Sequence, residues 1–316
     1  MRNRLTERPQ EMAIAGALTI AFSSILVRAA HVSPSTAAIF RCAYAVPLLY
    51  LLARREDRRL GSRPARSRRL AVLAGGFFAV DLISWHHSIA DVGAGLATVF
   101  GNLQVVFVPV IAWVVLRERP GTRALTLLPG VFAGIVLISG VLESHAYGRD
   151  PGEGVLYGTL TGLTYAVFLL LLRAGGADLR RPAGPLFDAT AAATVGSVIG
   201  GVLLGEADLA PHWPAHGYLL ALALSSQVLG WLLIASSLPR LPAATASILL
   251  TVQPVGSVLL GAAIFAESPS LLQLAGVVVV LACLVAIARS VRAPRDAGGQ
   301  APPPSPPRRR PLPRAS

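Results

Sequence analysis

Lysine is missing from this chain: all 28 basic residues among its 316 are arginine. That gap excludes no mechanism, because it accompanies an abundance of Arg, Ala, Gly and Leu of the kind a GC-rich coding bias produces. The shortage of charge says more. Only 14% of the residues are charged against 53% hydrophobic, and the mean hydropathy is +0.61, well outside the balance of a soluble globular domain. Composition therefore assigns the chain to a membrane. Its two cysteines, Cys42 and Cys283, both sit in apolar stretches, so neither a disulfide framework nor a thiol metal site is indicated. The signatures GxSxG, HExxH, the P-loop and the dinucleotide fingerprint are absent too, which argues against an enzyme and against ATP driving within this chain. A net charge of +12 would suit nucleic acid only if it lay on a soluble face. Here it lies in short loops between apolar runs, and the chain is expected to take no nucleic acid, no cofactor and no metal.

Those apolar runs are numerous. A hydrocarbon core of about 30 Å needs roughly 20 apolar residues per helix, and there are ten candidates: 12–30, 36–53, 70–90, 94–116, 124–142, 154–172, 185–204, 217–238, 244–266 and 271–288. The first is long for a signal-peptide core and lacks a clear cleavage site, so it is expected to remain as a span. Arginine placement tests the count independently, because positive charge is retained on the cytoplasmic side. With the N-terminus inside, 25 arginines fall on inside segments, Arg149 alone falls in an outside loop, and Arg28 and Arg41 lie within spans. The expected fold is an all-α integral membrane protein of ten transmembrane helices in the cytoplasmic membrane, with both termini cytoplasmic. Residues 1–11 form a cytoplasmic N-terminal segment, and the Arg- and Pro-rich 289–316 forms a disordered cytoplasmic tail.

The ten spans divide into two sets of five. "ATVFGNLQVVFVPVIAWVVLRERP" from Ala97 aligns with "ASILLTVQPVGSVLLGAAIFAESP" from Ala246 at a constant offset, pairing Gln104 with Gln253, Glu118 with Glu267 and Pro120 with Pro269. One helix earlier Asp81 pairs with Gln227 and Trp85 with Trp231. Five is odd, so the second copy enters the membrane from the opposite side. Such an inverted repeat lets two halves exchange conformations and alternate the access of a central cavity. The repeats are expected over 12–142 and 154–288, joined by an external linker at 143–153.

These residues resemble a known family. Two five-helix halves, each with a fourth helix that ends in Glu shortly before Pro ("LRERP", "FAESP"), resemble the drug/metabolite transporter superfamily and within it the ten-helix EamA family. Arg41 in "FRCAYAVPLLYLL" is similar to an arginine often found early in that family's second helix. The matching stretch of the second half, "FDATAAATVGSVIG", carries Asp188 and no arginine, so any role of Arg41 belongs to one half. The resemblance implies export of a small polar or amphipathic metabolite, such as an amino acid, through a cavity between the halves.

"DLISWHH" at residues 81–87 is the least apolar part of the third span. Eleven residues of helical rise place Asp81 about 16 Å deep, near the bilayer midplane. A carboxylate there is costly unless it faces protein, water or a partner. Asp81, Ser84, Trp85 and Ser88 share one face at helical spacing, while His86 and His87 flank it; the spacing of the two histidines does not suit a metal. Three readings of Asp81 stand: a protonatable coupling group, a fixed anion that grips solute, or a structural partner of Arg41 or a histidine. Asp81, Trp85 and Gln253 are the first candidates for a cavity, followed by Arg41, His86, Gln104 and Gln227. Pro109 and Pro254 can free backbone carbonyls in moving helices. Glu118 and Glu267, near loops, are expected to stay solvated. The expected function is a secondary transporter of a small metabolite, with protons as a candidate coupling ion and lipids as its surroundings. The alternatives are an uncoupled facilitator and a lipid- or receptor-type membrane protein in which Asp81 is structural.

Overall fold

A computed structural model describes residues 8–116, 122–138, 142–143, 147–241, 249–250 and 252–290. These residues are helical almost throughout, with no strand among them. The first apolar run forms α1 (Pro9–Ala21) and α2 (Ser23–Ala30), the second α3 (Pro34–Ala43) and α4 (Val46–Leu60). Then come α5 (Ala65–Gly101), α6 (Gln104–Leu116), α7 (Thr122–Ile138), α8 (Pro151–Gly175) and α9 (Ala183–Leu203). The last third holds α10 (Ala215–Leu222), a π-helical stretch Ala223–Gly230, α11 (Trp231–Ser237), α12 (Val252–Phe265) and α13 (Leu271–Ser290).

Helix starts are written in short-range chemistry. Ser33 caps α3, its hydroxyl accepting the Thr36 N–H at 3.2 Å with Pro34 at the first helical position. Asp150 caps α8 in the same way, accepting the Glu153 N–H at 3.0 Å ahead of Pro151. Both follow the usual preference for a short polar cap and a proline in the first turn.

Among the described residues, six helical rods are long and apolar enough to cross a membrane, and shorter apolar helices account for Pro129–Ile138, Val252–Phe265 and Leu271–Cys283. One rod, Ala65–Val108, runs 44 residues, which is too long for a single crossing. It breaks at Gly93, whose φ of 86° and ψ of 170° lie outside the helical region and favour glycine. The expected third and fourth spans therefore appear as one rod with a break. Some of the boundaries on which a count of ten depends, at 117–121 and 242–248, lie outside the described residues, as do Glu118, Pro120, Ala246 and the tail from 291.

Over its apolar 18-residue core the Ala65–Val108 rod is 89% buried, where the corresponding stretches of the other long rods are 39–56% buried. It is the central mast, and the others wrap it with one face toward lipid. Two glutamates show how the halves are laid against each other. Glu56, near the end of α4, accepts the N–H groups of Ala183 and Gly184 at 3.0 and 2.8 Å, the first turn of α9. Glu206, just past the end of α9, accepts the hydroxyl of Ser35 at 2.6 Å, in the first turn of α3. Glu56 satisfies two orphan donors at the start of α9 and Glu206 fastens the end of α9 to the start of α3, so the Pro34–Leu60 rod and α9 run antiparallel.

Candidate functional site

A small cavity borders the middle of the mast. From α5 it takes Phe78, Asp81, Leu82 and Trp85, an i, i+3, i+4, i+7 stripe, and beyond the break Thr98, Gly101 and Asn102. Arg41 closes it from α3, Thr161 and Tyr165 from α8, Trp231 from α11 and Gln253 from α12. Four of the seven residues singled out from the sequence thus converge: Asp81, Trp85, Arg41 and Gln253. The volume is about 50 Å³, room for one or two waters. The cavity must widen to admit any metabolite.

Its chemistry is unusually open. Arg41 Nη1, Asn102 Oδ1, Thr161 Oγ1, Trp231 Nε1 and Gln253 Nε2 are buried and have no hydrogen-bond partner among the described residues. Orphaned polar atoms of this kind are few in folded proteins, and five of them line one cavity. Asp81 is 5% exposed and takes no hydrogen bond from a described residue; it shares the lining with the Arg41 guanidinium. Arg41 is held from behind: its Nε donates to Gln227 Oε1 at 3.1 Å, and Gln227 Nε2 donates to Thr190 Oγ1 at 3.0 Å. The guanidinium stands 5.6 Å from the Trp85 ring centroid. Gln227 lies in the π-helical stretch, whose wider turn re-aims side chains and recurs at functional sites. The cavity offers donors on the Arg41 side, acceptors at Asp81 and Asn102, and indole and phenol faces between them.

The remaining candidates lie elsewhere. Gln227 supports Arg41 from outside the lining. Gln104 is fully buried with neither amide atom partnered among the described residues, and it is not in the cavity, although its repeat counterpart Gln253 is. His86 faces a separate vestibule of about 650 Å³ together with Arg28, His31, Asp91 and Arg149; its Nδ1 lies 3.0 Å from the carbonyl of Pro34. Ser88 leaves the expected stripe, donating to the Gly154 carbonyl at 2.9 Å to fasten α5 to α8. Thr98, Thr161 and Tyr165 look like ordinary span residues in the sequence and carry no signal of their own. Trp231 carried a signal, its match to Trp85 across the repeat.

The expectation that Glu267 stays solvated is overturned. Its side chain is 3% exposed and ion-paired to Arg28 of α2. It also accepts the N–H groups of Ala94 and Gly95 at 2.8 and 3.2 Å. The break at Gly93 frees these donors, and the fourth span starts with the partial positive charge a helix N-terminus carries. Arg28 is further held by Tyr147 Oη at 3.3 Å and by the Phe265 ring at 4.6 Å. A residue after α12 thus latches the first span and the start of the fourth at the end of the bundle opposite the arginine-rich loops.

At that same end His87 Nε2 lies 2.9 Å from Glu206 Oε1, with the His87 ring stacked on Tyr157. Burial pushes the Glu206 carboxyl up, but the Ser35 hydroxyl and His87 outweigh it and hold Glu206 below the usual carboxylate range. A depressed folded-state value contributes stability above the unfolded value, about 4.3 for Glu, and that stability is lost as pH falls through the folded value. Glu206→Gln is therefore expected to unfold about 1–2 °C below wild type at pH 7. The two melting curves, followed in detergent from pH 7 to pH 3, should converge in acid; a gap that persists at pH 3 would refute the linkage.

The comparison with known proteins matches this architecture. The sequence model of the EamA-like transporter family covers residues 11–140 and 152–289, two copies along the chain. No curated protein matches the chain. A solved structure described as "Crystal structure of protein" superposes with a TM-score of 0.60 over 95% of this chain and 100% of its own, at 18% identity, a likeness of fold alone. Two family matches that together span most of the sequence, on a helical bundle with several membrane-crossing rods, settle what kind of protein this is: the chain belongs to the EamA-like transporter family, a multi-pass membrane transporter of small molecules and not an enzyme.

Proposed function

We propose that the chain exports an amino acid-like or amphipathic metabolite across the cytoplasmic membrane by alternating access, with the Asp81 cavity as its solute site and protons as the coupling ion. One observation carries this reading: the Asp81 carboxyl and five orphaned polar atoms, one of them on the Arg41 guanidinium, surround a single cavity at the middle of the bundle. A zwitterion with an apolar body would satisfy both signs of this lining and lie against Trp85 and Tyr165. Two inverted halves of five spans, over 12–142 and 154–288, supply the exchange of access, and the arginine bias supports cytoplasmic termini. Arg41 and Gln253 act as solute donors, Gln227 positions Arg41, and Asp81 carries the proton on one leg of the cycle.

The test is flux in proteoliposomes loaded with a mixed pool of common amino acids, with proton movement recorded alongside solute. Wild type is expected to move protons with solute, and Asp81→Asn to lose proton movement about tenfold or more. Equal solute flux in both proteins without proton flux would make the chain a facilitator. No flux of any pool member in wild type would bring the receptor-type reading forward.

A further inference from the structure

A groove at the arginine-rich end carries a different chemistry. It measures about 660 Å³ and opens between the last turns of α4, the first residues of α9 and the Leu232–Ser236 turn of α11. Arg55, Arg59 and Arg180 stand around it. Arg180 is held by Asp178 at 3.0 and 3.1 Å. Arg55 and Arg59 are exposed and have no ion pair or hydrogen bond among the described residues. The acid in the lining, Glu56, is engaged, both its oxygens accepting backbone N–H groups of α9. With Arg180 paired to Asp178, Arg55 and Arg59 still outnumber Glu56, and because the backbone donors turn Glu56 toward α9 the groove presents a net positive charge through two free guanidiniums. A neighbouring cavity of about 410 Å³ around Arg63 and Arg181 does not, because those guanidiniums are tied to Asp188, Asp57 and Asp178.

Depth gives the groove a second property. Leu48, Leu52, Arg55 and Arg59 follow one another at i, i+4, i+7 and i+11, a single stripe of α4. Helical rise separates Leu48 from Arg55 by about 10 Å. Leu48 is 38% exposed, as is Leu229 at 53%, one turn from the groove-lining Leu232. Going along the stripe, the surface changes from apolar at bilayer depth to doubly cationic at the level of the loops. A soluble anion would use only the upper half of that surface; an amphiphile with a phosphate head uses both.

We propose that this groove binds an anionic phospholipid, its phosphodiester on Arg55 and Arg59 and the first acyl methylenes along Leu52 and Leu232. Arginine suits the task because its planar fork matches phosphate oxygens, and basic pockets between spans at headgroup level take such lipids.

Native mass spectrometry of the full chain tests it, with phosphatidylglycerol or phosphatidylcholine of identical acyl chains added to the detergent-purified protein. Phosphatidylglycerol is expected to stay bound where phosphatidylcholine does not, a comparison that needs no variant. The pair Arg55→Gln and Arg59→Gln should lower retention about tenfold or more. The charge-matched pair Arg54→Gln and Arg66→Gln should leave it near wild type. Equal retention of the two lipids, or an equal loss in both variant pairs, would overturn the site. Displacement of phosphatidylglycerol by an equal concentration of inorganic phosphate would make it a soluble-anion site and overturn the lipid.

Discussion

Glu267→Ala is expected to destabilise the protein by about 3 kcal/mol, the cost of removing one partner from a buried ion pair. The figure belongs at the lower end of the usual range because Arg28 is 31% exposed and water can solvate part of the abandoned charge. The N–H groups of Ala94 and Gly95 lose their acceptor at the same time, which adds the cost of an uncapped helix start. Arg28→Ala should cost less, since Glu267 would keep both backbone donors. Gly261→Val should approach the Glu267→Ala value by another route, because a Cβ there would come within 2.4 Å of Glu267 Oε2. Thermal unfolding in detergent measures all three. The latch is refuted if Arg28→Ala proves as damaging as Glu267→Ala, or if Glu267→Ala melts with wild type.

Arg41→Leu should reduce solute flux about a hundredfold while leaving the protein folded. The guanidinium is the basic group of the cavity lining, and a hydrogen bond to a charged group contributes about 1.5–3 kcal/mol, up to two powers of ten in rate or affinity. Leucine also leaves Gln227 Oε1 without its donor and Asp81 without the neighbouring positive charge. Arg41→Lys keeps charge but not the fork, and an intermediate loss of about tenfold is expected. Gln104→Ala is the control: it removes an equally buried amide that lies outside the cavity, so flux should stay within about twofold of wild type. Proteoliposome counterflow of a solute that wild type carries, at matched protein content, reads all of these. A Gln104→Ala defect as deep as that of Arg41→Leu would mean that any buried polar loss disables transport, and the cavity would lose its special standing.

The latch and the cavity bear on each other through Gly93. The same break that frees the Ala94 and Gly95 donors for Glu267 also sets how Thr98, Gly101 and Asn102 face Asp81 and Trp85. Movement of α12 relative to the mast would disturb both at once. Glu267 lies at the end of α12, and Gln253 lies near its start.

Much of this protein is determined by local sequence. Apolar runs of about 20 residues specify rods in a bilayer whatever their neighbours do, because unsatisfied backbone groups are excluded from hydrocarbon. Spacing of 3.6 residues per turn sets Asp81 and Trp85 on one stripe, and helical rise sets their depth. The matched residues of the two halves and the Glu-before-Pro endings are likewise legible in the sequence alone. What the tertiary structure decided is how each rod is rotated about its own axis and which distant segment meets it. Gln104 and Gln253 occupy equivalent places in the sequence, yet one packs and the other lines the cavity. Glu267 reads as a loop-side acid until Arg28, 239 positions away, and the N–H groups at 94 and 95 are brought to it. Rotation and long-range pairing depend on the summed packing of several helices, with small residues permitting approach, and no window of sequence holds that sum.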